Sequence, residues 1–162
     1  MKIDVFTTVM AAVFILAIFG PLIYLEYRRR NRIRQMRIAY LNYITTLGLQ
    51  PGHFETWSNK TLATDKNRKV LIFMDGFTDR LKWKSLTLSQ AAGCRVLTTK
   101  SQVLLVMDMK PSAHSMPESI KLFDDDMDDP LELGFHKVLA NRWADRINRA
   151  IKRINKKPRK AA

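Results

Sequence analysis

Five carboxylates fall within six residues, at Asp124, Asp125, Asp126, Asp128 and Asp129, the densest set of hard oxygen ligands in the chain. Clustered oxygens suit Ca2+ or Mg2+. A calcium loop of the EF-hand type needs Gly and then Glu at fixed later positions, where this chain has Asp129 and Phe135. Two other uses remain. Carboxylates ahead of a helix favour its positive N-terminal end by about 0.3 to 1 kcal/mol each. Alternatively, the acidic loop could screen a basic segment of the same chain until an anionic membrane displaces it.

Other reactive residues are isolated. His53, His114 and His136 have no His or Cys partner at metal-ligand spacing. His114 lies in a Ser-containing loop, but no nucleophile elbow accompanies it. Neither Gly-x-Gly-x-x-Gly nor a Walker sequence occurs, so no nucleotide cofactor is implied. Lys82-Trp83-Lys84 could stack a nucleobase or sit among lipid headgroups. Strand alternation, however, puts Leu81 and Trp83 on one face and both lysines on the other, which is core patterning. Trp57 and Trp143 read as core, and Cys94 as a small buried hydrophobe. The expectation is a non-enzymatic protein with no cofactor and no metal.

Charge is the stronger signal. The chain has 162 residues, 28 Lys and Arg against 15 Asp and Glu, and a net charge of +13. The excess lies in two stretches, with six Arg and one Glu in 26–37 and eight Lys and Arg without an acid in 146–160. Elsewhere 14 bases face 14 acids. A basic balance points to a polyanionic partner, and here that charge is confined to two patches flanking a neutral middle.

The first patch follows 21 uncharged residues, 5–25. At about 1.5 Å per residue, a helix of that length crosses the ~30 Å hydrocarbon core. A signal peptide is the rival reading, with the length of the run and its flanks favouring an uncleaved anchor. Gly20 and Pro21 interrupt it late, and Tyr24 and Tyr27 are placed as interfacial aromatics. Arg28, Arg29, Arg30, Arg32, Arg34 and Arg37 crowd one flank, while Lys2 and Asp4 cancel on the other. The positive-inside rule then predicts a single pass with the N-terminus outside and the rest cytoplasmic, the six arginines contacting the membrane surface. A lone cysteine agrees with a reducing compartment.

Ile33, Met36, Tyr40, Leu41, Ile44 and Leu47 continue at helical spacing, and Gly48 supplies a cap. From residue 53 the pattern changes to short apolar runs. It predicts strands at 53–57, 61–64, 69–74, 80–83, 85–88, 95–99, 102–109 and 119–123, paired sequentially and antiparallel. Asp129, Pro130 and Glu132 form a helix start, followed by an apolar stripe of Phe135, Leu139, Trp143, Ile147, Ala150 and Ile154 with Val138 and Ile151 beside it. Short strands followed by one long amphipathic helix imply an α+β domain in which the helix covers an antiparallel sheet or small barrel.

Four segments stand out together: Leu47-Gly48-Leu49-Gln50-Pro51, Glu55-Thr56-Trp57-Ser58-Asn59, Asp65-Lys66-Asn67-Arg68-Lys69 before Val70-Leu71-Ile72-Phe73, and Ala140-Asn141-Arg142-Trp143 through Asn148. In these the chain resembles small bacterial membrane-anchored proteins with a cytoplasmic pleckstrin-homology-like domain. Ser85-Leu86-Thr87-Leu88, Gly93-Cys94-Arg95-Val96 and Ile120-Lys121-Leu122-Phe123-Asp124 extend the likeness. Thr61-Leu62-Ala63-Thr64 departs from it, since similar proteins carry a more apolar, glycine-containing strand there. The resemblance implies a seven-stranded, two-sheet partial barrel capped by the C-terminal helix, in a fold that mostly binds headgroups, peptides or proteins.

The expected organisation is therefore a terminal segment and transmembrane helix over 1–25 and a basic juxtamembrane helix and turn over 26–50. A pleckstrin-homology-like domain follows over 51–157, with a basic tail at 158–162. The expected location is the bacterial inner membrane and the expected partners are the bilayer and an unidentified protein. In this role the chain is an interaction or scaffolding module. An alternative is an anionic-lipid-responsive sensor contacting phospholipid through Arg149, Lys152, Arg153, Lys156, Lys157, Arg159 and Lys160. Nucleic acid is disfavoured, because no recognition motif accompanies the charge.

Overall fold

The computed structural model describes residues 5–76, 81–111 and 116–156. The chain divides into two compact units, 1–42 and 43–162, each described by itself. Most of helix α1, Val5–Thr46, lies in the first unit. One stretch of it is long and apolar enough to cross a membrane, and none of its most apolar window is buried. Val13, Phe14, Ile15, Leu16 and Ile18 all face outward, an arrangement suited to lipid rather than water.

The last turn of α1 belongs to the second unit. Gly48, at φ +65°, closes it: the Leu49 amide donates to the Ile44 carbonyl at 3.0 Å and the Gly48 amide to Thr45 at 3.0 Å. This is the glycine-terminated cap that the sequence predicts, because a side chain at that φ would be strained. Ile44 is fully buried and Tyr43 stacks on Trp83, with ring centroids 4.1 Å apart.

Seven strands follow: β1 Pro51–Trp57, β2 Lys60–Asp65, β3 Val70–Asp75, β4 Lys82–Thr87, β5 Ala91–Thr98, β6 Gln102–Met109 and β7 Glu118–Asp124. They form two antiparallel sheets, β1-β2-β3-β4 and β5-β6-β7, which do not close into a barrel. The two strands expected at 80–83 and 85–88 are one, β4. Neither Gly nor Pro separates Trp83 from Ser85, and β4 pairs with β3 without a break from Val70↔Thr87 to Asp75↔Lys82. Of the Ser-containing loop around His114, only residues 110–111 and 116–117 are described, and His114 lies outside the described residues.

β2 is the strand least legible from its residues, yet every one of its six residues is buried. Lys60, Thr61 and Asp65 in it have side-chain partners, as burial of polar groups requires. Thr61 shares a hydroxyl hydrogen bond with Thr56 at 3.0 Å, and Lys60 and Asp65 are bonded as described below. Gly52 lets β1 cross beside β2, because a Cβ there would sit 2.4 Å from the Asp65 carbonyl oxygen. That encounter is with backbone, which cannot swing aside.

A 3₁₀ turn, Pro130–Glu132, leads into α2, Leu133–Lys156. The cap is the expected one: the Asp129 carboxylate accepts from the Leu131 amide at 2.9 Å. The buried face differs from the predicted stripe. His136, Leu139, Ala140, Trp143, Ala144, Ile147, Ala150 and Ile151 are buried, whereas Phe135 is 53% and Val138 67% exposed. At about 100° per residue, the buried arc is centred near Trp143, so Phe135 falls about 100° and Val138 about 160° from its middle. The core lies between the sheets under α2, joining Leu62, Leu71 and Phe73 to Leu105, Ile120 and Phe123, with Trp143 across them.

Candidate functional site

The acidic run is largely committed within the domain. Asp128 lies 2.5 Å from Lys60 Nζ, with both side chains nearly inaccessible, and also accepts the Asp124 amide at 2.9 Å. Lys60 Nζ and the Trp57 indole both donate to the Leu122 carbonyl at 3.3 Å. This node joins β1 and β2 to the outer edge of β7 through side chains, where the two sheets share no backbone pairing. Asp124 pairs with Lys121 at 2.6 Å, and that donated hydrogen bond holds its carboxyl below the usual carboxylate range. Asp129 caps the helix start. Asp125 and Asp126 remain at the surface. Among the described residues, no group of three His, Cys, Asp or Glu is placed to hold a metal ion.

The other singled-out residues are also locked. The Trp143 indole donates to Glu55 Oε2 at 2.9 Å, and Arg142 pairs with the same carboxylate, fastening α2 to β1. The Asn148 amide bridges the edge strand β5: its Oδ1 accepts the Cys94 amide at 2.9 Å and its Nδ2 donates to the Cys94 carbonyl at 2.8 Å. Cys94 is buried, and burial, aided by Asp108, pushes its thiol up to about 12. A thiolate is therefore not formed at neutral pH. Trp83 is half-buried against Tyr43 rather than part of the inter-sheet core, since the outer end of β4 lies beyond that core. His136 is buried between Phe123 and Phe135, with Nδ1 2.8 Å from the Glu132 carbonyl.

The residues that converge without being consumed form a basic cleft. It is an opening of about 700 Å³ between the β2–β3 turn and the final turns of α2. Lys66, Arg68, Lys69, Arg153 and Lys156 line it, with Asn67 between them. Ala150 and Ile154 provide its apolar floor. The turn itself is rigidly specified. Asp65 is buried, and its carboxylate accepts the amides of Asn67 at 3.1 Å, Lys69 at 2.5 Å and Val70 at 2.8 Å. Arg68 adopts φ +56° and donates its amide to the Asp65 carbonyl at 2.9 Å. The only acid of the turn thus faces inward and leaves the cleft wall cationic. None of the five cations pairs with a carboxylate among the described residues.

Of the predicted lipid contacts, Arg153 and Lys156 line this cleft, whereas Arg149 and Lys152 are not among its lining residues. Lys157, Arg159 and Lys160 lie outside the described residues. Lys66, Arg68 and Lys69 carry no binding expectation from the sequence, where they read only as a turn, because the helix end they face is about 85 positions away. The six arginines of 28–37 are on α1, where Arg30 pairs with Glu26 at 2.8 Å. No family model, characterised protein or solved structure matches this chain.

Proposed function

We propose that this chain is a membrane-anchored, non-enzymatic interaction or scaffolding module, which presents a pleckstrin-homology-like domain at the cytoplasmic face of a bacterial inner membrane. The anchor reading is supported by the outward-facing apolar surface of α1 and the arginines that follow it. Two unclosed antiparallel sheets with a C-terminal helix support the domain reading.

The interaction reading is carried by one observation. Met127, Leu131, Phe135 and Val138 are 78%, 91%, 53% and 67% exposed, and the last three recur at spacings of four and three. Phe135 and Val138 lie on the side of α2 turned from the core, with Leu131 in the 3₁₀ turn and Met127 in the loop that precede it. Exposed apolar residues that line up in this way mark contact surfaces. An apolar protein surface is the partner this row would accept.

Site-specific photo-crosslinking in native membranes tests the reading, with the photoreactive residue at Phe135 or Val138 and a control at Lys100. A discrete protein adduct from Phe135 and Val138 is expected, with none from Lys100 and loss of the Phe135 adduct in V138D. Equal labelling at all three positions would overturn it.

The sensor alternative has less to work with. Asp124, Asp128 and Asp129 already serve Lys121, Lys60 and the helix start, leaving Asp125 and Asp126 to exchange with a basic segment.

A further inference from the structure

We infer that the cleft between the β2–β3 turn and the C-terminal turns of α2 is a binding site for a phosphate-bearing ligand. Five cations surround one opening with no carboxylate among them. Like charges gathered around one opening repel, over a distance set by a Debye length of about 8 Å at physiological salt, and a bound anion relieves that repulsion. The negative end of α2 offsets little of it, because a helix C-terminus contributes only about half an elementary charge. A single carboxylate leaves most of the positive charge unmatched, whereas a phosphate group carries close to two charges at neutral pH and accepts through three oxygens.

The donors fit that chemistry. Arg68 and Arg153 offer planar guanidinium forks, Lys66, Lys69 and Lys156 compact ammonium groups, and Asn67 a neutral amide. The turn's backbone amides point at Asp65, so recognition falls to side chains alone. The turn is also preorganised. Its conformation is fixed by four hydrogen bonds to Asp65 before any ligand arrives, which lowers the ordering cost of binding. The volume exceeds that of one phosphate and falls within the range of small-molecule sites. Ala150 and Ile154 make room for an apolar part of the ligand beside its charge. A phospholipid headgroup and a soluble phosphate compound share this chemistry. The inference stands on the cleft alone, and is independent of any protein docking on the apolar row of α2.

The test uses the full chain in phosphatidylcholine nanodiscs at fixed ionic strength, read by hydrogen exchange. One arm adds inorganic pyrophosphate and the other replaces part of the lipid with phosphatidic acid. Protection confined to residues 66–70 and 150–156 is expected, in the first arm for a soluble ligand and in the second for a headgroup. The triple variant K66Q/K69Q/R153Q should weaken binding at least about tenfold, equivalent to about 1.4 kcal/mol. The charge-matched K100Q/K137Q/K152Q should weaken it less than twofold, and K66R/K69R should retain it. Absence of protection in both arms, or equal weakening by the two triple variants, would overturn the site.

Discussion

Lys60 Nζ sits 2.5 Å from Asp128 Oδ2, with the two side chains 5% and 3% exposed, and the pair joins β2 to the loop that follows β7. Removing one partner of a buried pair leaves an uncompensated charge, which costs about 3 to 5 kcal/mol. K60M and D128A should each lose stability on that scale in denaturant unfolding. K60M/D128L should regain at least half of the loss, since no lone charge remains. A cost below about 1 kcal/mol for both single variants would mean that the pair does not hold the sheets together.

Glu55 satisfies the Trp143 indole and pairs with Arg142, so it ties β1 to the helix. E55A should destabilise the domain by about 1 to 2 kcal/mol by leaving a buried indole donor without an acceptor. E55Q should keep most of the stability, because its amide oxygen still accepts. Blue-shifted or quenched tryptophan emission in E55A but not E55Q would accompany this; identical stability of the two variants would refute it.

Asn148 covers the edge of β5 at Cys94 with two hydrogen bonds. N148A should cost about 1 to 2 kcal/mol. The Cys94 amide should then exchange with solvent much faster, while amides of β6 keep their protection. An unchanged Cys94 amide would contradict the role of Asn148 as an edge cover.

Burial and Asp108 raise the Cys94 thiol from an ordinary 9.0 to about 12. The folded state therefore holds its proton where the unfolded chain releases it. Its contribution to stability is intact below about pH 9 and is lost as pH rises towards 12. C94A or C94S should flatten this alkaline decline. In the wild type at pH 8, a thiol reagent should react only as fast as the domain opens; immediate labelling would contradict the burial.

Much of the domain was legible because its signals are local. Gly48 and Asp129 act at helix ends within a few residues, and the apolar runs of β3 and β6 repeat on the scale of one strand. β2 is harder, because its polar residues read as exposed: Lys60 finds its partner 68 positions away in Asp128, while Thr61 and Asp65 are satisfied by Thr56 and by the amides of the following turn only once the strands pair. The buried face of α2 departs from the predicted stripe for a related reason. Phe135 and Val138 are apolar enough for a core, and only the sheet beneath the helix decides that His136 and Ala140 take the inward places. The cleft was invisible on the same grounds: Lys66 to Lys69 and Arg153 to Lys156 become one site only when the chain folds.

The central claim, an anchored chain with its β domain in the cytoplasm, is tested most directly by protease access in spheroplasts and inverted membrane vesicles after alkaline carbonate washing. The account predicts that the full chain remains in the washed membrane, and that residues 43–162 are digested in inverted vesicles but protected in intact spheroplasts. Release by carbonate, or digestion of that region from outside intact spheroplasts, would contradict it.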